Sequence, residues 1–158
     1  MKLLFLNELR SRLVACRWQE WDSHVNNSDR FSIYRTFSTI SRVKMYLQIN
    51  LDQHLRYVMT RFRLGISDIA QHHYRYKNHS EMDLICPLCG NGKEDELHFL
   101  LICTAFSNLR TKYIPLKFFR NPNWFKLSLL LASEKETIIK NVSIFLYKAS
   151  HLRSVMTS

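Results

Sequence analysis

Glycine and proline are scarce in this chain, with three of each among 158 residues. The glycines Gly65, Gly90 and Gly92 are too dispersed to build a phosphate-cradling loop, so a P-loop nucleotide enzyme is excluded. Aspartates never stand side by side and no Tyr-x-Asp-Asp run occurs, which leaves two-metal nucleotidyl transfer without its clustered carboxylates. Long apolar runs are missing too. Met1 to Leu6 opens like a secretory leader, but Asn7, Glu8 and Arg10 interrupt it well short of the required length, and no other stretch is long enough to cross a membrane. Without a leader, the Asn-x-Ser triplets at Asn26, Asn78 and Asn141 carry no glycosylation signal, and the expected setting is intracellular and reducing, in nucleus or cytoplasm.

What is present reads as helix. Apolar residues recur at steps of three and four, as in Val14, Trp18, Trp21 and Val25, and again in Leu51, Leu55, Val58, Met59 and Phe62. Asn50 precedes the second stripe in capping spacing with Gln53, and Gly65 is placed to end it. A last helix opens with Ser133 and Glu136 as a capping box and carries Ile138, Val142, Phe145, Leu146, Ala149 and Leu152 on one side. Asn121-Pro122-Asn123 breaks the chain before the apolar run Trp124 to Leu131, whose state the pattern leaves open. The predicted fold is mainly α, a helical domain with a small embedded Cys-Cys-His-Cys zinc module. Three segments are expected: basic and helical over 1–80, metal-binding over 81–113, and a C-terminal helical segment over 114–158.

Cys86 and Cys89 flank Pro87 and Leu88, and this two-residue gap lets one tight turn aim both sulfurs at one ion. Gly90 and Gly92 follow with the positive φ values such a turn requires. Glu94-Asp95-Glu96 reads as the acidic first turn of a helix through Leu97, Phe99, Leu100, Leu101 and Ile102, carrying His98 and Cys103 as the remaining ligands of a Zn2+ site. Positions five apart on a regular helix differ by roughly 140°, so either the helix tightens or breaks near Cys103 or the metal sits at its end, with distortion expected around Ile102. Three cysteines and a histidine close a tetrahedron, which leaves no open position for hydrolytic chemistry. The alternatives are three buried thiols beside a helical histidine, or a disulfide, for which Cys86 and Cys89 are too close and the compartment wrong. Cys16, a lone cysteine in an apolar helical segment, is expected to be a core thiol, not a nucleophile. A non-enzymatic protein is predicted.

The net charge of +10 is unevenly spread: residues 1–80 carry +7, residues 81–113 carry −2 and residues 114–158 carry +5. Attraction to phosphate therefore belongs to the flanks of the metal module. Arg56 and Arg63, seven apart, share a predicted helix side away from the apolar stripe, with Arg61 elsewhere on the surface. The run His72-His73-Tyr74-Arg75-Tyr76-Lys77 then mixes cations with rings able to stack on unpaired bases. Its alternative is tyrosines packed on the core with Arg75 and Lys77 merely solvated.

Three blocks carry a family resemblance. Arg56-Tyr57-Val58-Met59-Thr60-Arg61-Phe62-Arg63-Leu64-Gly65, then Arg75-Tyr76-Lys77-Asn78, then Ile85-Cys86-Pro87-Leu88-Cys89-Gly90 with Glu94 to Cys103, taken in that order, resemble the C-terminal zinc-binding region of non-LTR (LINE-type) retrotransposon reverse transcriptases. The match runs from near residue 50 to about 115. It implies zinc on Cys86, Cys89, His98 and Cys103 and a role in gripping RNA or DNA, with the reverse transcriptase domain of a longer polyprotein as a further partner; on the charge and ring pattern above, Arg56, Arg61, Arg63, Arg75 and Lys77 are expected to contact phosphates and Tyr74 or Tyr76 to stack on bases. The polymerase's catalytic aspartates have no counterpart in this chain. The competing expectation is a zinc-stabilised structural or protein-interaction domain, or a degenerate element fragment without selected function.

Overall fold

The computed structural model describes residues 2–28, 31–38, 44–74 and 84–157, and among these the chain is mainly α with no strand. In order it forms α1 (Lys2–Asn27), α2 (Ser32–Phe37), α3 (Met45–Gln48), α4 (Gln53–Arg63) and α5 (Ala70–Tyr74). A π-turn (His98–Ile102) and a 3₁₀ turn (Thr104–Phe106) follow, then α6 (Ser107–Tyr113), α7 (Leu116–Phe119), α8 (Trp124–Ala132) and α9 (Glu136–Thr157). Between α5 and the π-turn, a loop closed by one antiparallel bridge from Ile85 to Lys93 holds the Cys-x-x-Cys pair. No helix among the described residues is long and apolar enough to cross a membrane.

The core is organised by α9, whose Ile139, Val142, Phe145, Leu146 and Ala149 recur at helical spacing and are all buried. This face packs chiefly on α4 and α6. Phe62 of α4 meets Phe99 of the π-turn with ring centroids 5.9 Å apart, Phe99 meets Phe106 edge-on at 4.9 Å, and Phe106 meets Phe145 of α9 at 6.1 Å. Each such buried ring contributes about 1.5–3 kcal/mol relative to exposure. One buried cluster takes residues from all three expected segments, among them Ile33 and Phe62, Cys86 and Phe99, and Leu130 and Phe145. The metal-binding loop therefore shares its core with the helices on either side.

Several local expectations change. The cap of α4 is Asp52 and not Asn50: its carboxylate accepts the His54 N–H at 2.8 Å, while Leu51 anchors the entry by burial. Gly65 ends the helix with φ +67°, as its position implied. The run Trp124 to Leu131 is helical, with Asn123 accepting the Lys126 N–H at 2.9 Å as its cap. On α1 only the far end of the Val14, Trp18, Trp21, Val25 stripe is covered. Val25 is buried, Trp21 packs on Phe31 and Tyr34 of the α2 region, and Val14 is exposed. Cys16 is exposed as well, which corrects its expected place in the core, because nothing in the described chain covers the first two thirds of this helix. Arg35 of α2 holds the other end, donating to the carbonyls of Val25 at 2.8 Å and Ser28 at 2.7 Å.

Candidate metal centre and the cationic side chains

Cys86 and Cys89 sit at the two ends of a turn in which the Gly90 N–H donates to the Cys86 carbonyl at 2.9 Å. The Cys86 N–H donates in turn to the Gly92 carbonyl at 3.0 Å, which folds the chain back toward the π-turn. Gly90 has φ +66°, and a Cβ built there would meet nothing within 4 Å. Gly90→Ala is therefore expected to cost about 1–2 kcal/mol, all of it conformational, with metal content unchanged; urea denaturation together with elemental analysis checks both parts.

The second ligand pair is brought together by an irregularity at the expected place. The turn widens instead of tightening, and it ends at Ile102, so that Cys103, with φ −49° and ψ 122°, stands just past the helical residues. Cys103 N–H donates to the His98 carbonyl at 2.7 Å, an i to i+5 bond that stacks residues five apart and so brings the His98 ring and the Cys103 thiol to one side. Ile102 is displaced to solvent while His98, Phe99, Leu100 and Leu101 stay buried. Asp95 caps this turn by accepting the His98 N–H at 2.7 Å, so helix begins after Glu94 and not with it.

The four ligand atoms of Cys86, Cys89, His98 and Cys103 all lie within 4.8 Å of one another and could hold a metal ion. Cys86 Sγ and Cys103 Sγ are 3.8 Å apart, far beyond a disulfide. That separation is the edge, about 3.8 Å, of a tetrahedron built on zinc–sulfur bonds of about 2.3 Å. Cys89 Sγ lies 3.3 Å from His98 Nε2, slightly inside the corresponding sulfur–nitrogen edge of about 3.6 Å. Three sulfurs and one imidazole at these separations fit a closed tetrahedral site.

Burial pushes the Cys103 thiol up to about 12 and raises Cys86 in the same way. Burial also acts to raise Cys89, but hydrogen bonds from Asn91 and the neighbouring cysteines outweigh it and hold that thiol low. A cation captured here must displace protons from the two buried thiols, so capture strengthens as pH rises. His98 is held below the usual histidine value by burial, against the pull of Asp95 and Glu94, which favours the neutral imidazole a metal needs. Arg110, unremarked in the sequence reading, donates to the carbonyls of Leu100 at 3.0 Å and Cys103 at 2.7 Å. Its buried guanidinium caps the π-turn and opposes the negative charge of a thiolate-rich site.

The acidic triplet ties this centre to the rest of the fold. Glu94 is 0% exposed and receives Arg153 of α9 in a two-point contact, Nε to Oε1 at 2.6 Å and Nη2 to Oε2 at 2.8 Å. The Ala70 N–H adds a third donor at 2.7 Å. Burial alone would lower Arg153, but its contact with Glu94 pulls the guanidinium upward. Glu96, equally buried, accepts from His72 Nε2 at 2.8 Å. His72, the first residue of the run through Lys77, lies in the core, because Glu96 and Ser67 satisfy both of its nitrogens. The order Ser67, His72, Glu96 has the connectivity of a hydrolytic triad. The Ser67 backbone N–H already donates to His72 Nδ1 at 2.9 Å, however, so that lone pair is not free to take the Ser67 hydroxyl proton.

The basic face expected on α4 does not form. Arg63 is 4% exposed, sandwiched between the rings of Phe37 and Tyr46, and donates to the Leu131 carbonyl. It caps the C-terminal end of α8, whose unpaired carbonyls attract a cation, and so is committed to the fold. Arg56 donates to the carbonyls of Ile49 at 3.0 Å and Leu51 at 3.2 Å. Arg61 spans Tyr57 Oη at 3.0 Å and Asp68 at 3.4 Å, with about a third of its side chain exposed. Tyr74 ends α5, and Arg75, Tyr76 and Lys77 lie outside the described residues.

No family model matches the chain, and neither a curated protein nor a solved structure does. The likeness to retrotransposon reverse transcriptases accordingly rests on the motifs in the sequence.

Proposed function

We propose that this chain is a non-catalytic, zinc-binding module that grips RNA or DNA, in the manner implied by its resemblance to the C-terminal region of LINE-type reverse transcriptases. Zinc is favoured over other ions by a donor set of three sulfurs and one imidazole, held at tetrahedral separations with no open position. The observation that carries the nucleic-acid part is the fate of the acidic residues. Glu94 and Glu96 are buried on Arg153 and His72, and Asp95 is turned inward to cap the π-turn. The described acidic residues of the metal module are thus engaged within the protein, while Lys93, Lys112, Lys117, Arg120 and Lys148 stay exposed. Such a surface attracts a polyanion by counterion release.

Fluorescence anisotropy of the zinc-loaded protein with a labelled single-stranded 20-mer tests this. Binding is expected at about 50 mM salt and should weaken roughly 100-fold by about 200 mM if some five phosphates are contacted. Absence of any binding at the lower salt would end the nucleic-acid reading and leave the zinc site standing.

A second reading is favoured by α8. Phe125 is 71% exposed, and Trp124, Leu129 and the neighbouring Leu116 of α7 are also open to solvent. This is the apolar surface expected of a zinc-stabilised domain that docks on another protein, such as the polymerase part of a polyprotein. Nucleic-acid binding that survives Phe125→Ser unchanged, with loss of association to that partner, separates the two roles.

A further inference from the structure

Resting on the nucleic-acid reading above, we propose that the phosphodiester backbone is held on the face shared by α6 and α9, through Lys112 and Lys148, and not on α4. The two helices pack side by side and their lysines converge. Lys112 Nζ lies 5.6 Å, and Lys148 Nζ 5.9 Å, from the centroid of one and the same ring, that of Tyr113. Lys117, at the start of α7, rests on Phe118 in the same way at 4.9 Å. An ammonium lying on a ring is restrained yet keeps N–H donors for an anion, whereas one paired to a carboxylate has spent them.

The three helices that carry these lysines are poor in acid. Between Glu96 and Glu134 the sequence has no acidic residue, and it has none after Glu136. Helices α6 and α7 therefore carry no carboxylate, and the one on α9, Glu136, stands two turns and more from Lys148 and lies 2.6 Å from Lys140 Nζ. Two like charges gathered on one tyrosine repel each other, and a phosphate between them reverses the sign of that interaction. On α4 the situation is the opposite: Arg63 is buried, Arg56 holds backbone carbonyls, and Arg61 is engaged with Asp68. A lysine on a phosphate reads charge and not base edges, so the contact is independent of sequence.

The salt dependence of binding to a labelled single-stranded 20-mer supplies the test. The Lys112→Ala/Lys148→Ala protein, checked for unchanged zinc content and circular dichroism, is expected to lower the slope of log affinity against log salt by about 1.4, two contacts at about 0.7 each. The charge-matched Arg10→Ala/Arg17→Ala protein, altered on exposed positions of α1, should keep the wild-type slope. Wild-type binding with an unchanged slope in the lysine variant overturns this assignment alone. Equal loss in both variants also overturns it, by reducing the effect to net charge. A wild-type protein that ignores the oligonucleotide but binds phosphatidylserine vesicles overturns both this assignment and the reading beneath it.

Discussion

Cys103→Ser is expected to yield a protein without stoichiometric metal and without a cooperative fold. Cys103 is fully buried and stands between the π-turn and the 3₁₀ turn, with Phe99 and Phe106 to either side in the sequence and in contact with each other. A structural zinc site contributes about 10–16 kcal/mol of binding energy that is also folding energy. The whole net stability of a domain this size is about 5–15 kcal/mol, so loss of the ion is enough to unfold it. Because Cys86, Phe99 and Phe106 belong to the same buried cluster as Phe62 and Phe145, the unfolding should reach well beyond residues 81–113. Cys86→Ser and His98→Ala should behave alike, and excess chelator should reproduce them in the wild-type protein. Cys16→Ser, on an exposed position of α1, should leave both metal content and melting curve unchanged. Elemental analysis beside thermal melts followed by circular dichroism decides the matter; a Cys103→Ser protein that melts like wild type would remove the metal from its structural role.

Glu94→Gln is expected to cost about 3–5 kcal/mol while sparing the metal, because it strands the charge of Arg153 against a neutral amide in a nearly dry site. Arg153→Met should cost a comparable amount, leaving the carboxylate with the Ala70 N–H as its remaining donor. The pair joins residues 59 positions apart and fastens the metal loop to the last helix. The double variant should lose less than the two single losses combined, since it removes both charges together. Salt should change the wild-type stability little through this pair, as Glu94 is fully buried. Urea denaturation midpoints for the four proteins give the coupling directly, and additive losses would mean that the contact carries no net interaction.

These two expectations differ in how far the amino-acid sequence discloses them. The metal ligands were legible because a Cys-x-x-Cys turn is local, and the buried face of α9 was legible because helical periodicity is local too. Even the strain in the second ligand pair followed from counting residues between His98 and Cys103. Its resolution by widening did not, since that depends on Ile102 having open solvent to move into. Arg63 was misjudged for a similar reason. A cation seven residues from another on an amphipathic helix reads as surface, and only the arrival of the C-terminal end of α8 and of two aromatic rings gives it a buried place. Glu94 and Glu96 looked like a helix start because that explanation needs no distant partner, whereas their real partners come from α9 and α5. Cys16, two residues from both Val14 and Trp18, falls on the side of α1 opposite their stripe, and no described element covers it there.

The widened turn at His98–Ile102 makes the chain sensitive to its length at this point in a way that composition does not convey. Removing one residue between His98 and Cys103 would leave the two ligands four apart, about 40° from each other on an ordinary helix and still on one side, whereas inserting one would set them six apart and swing the Cys103 side chain roughly 120° from His98. Substituting Ile102, which points outward, asks much less. Insertions, more than exchanges of side chains or the loss of one residue, are the changes that this stretch of the protein rejects.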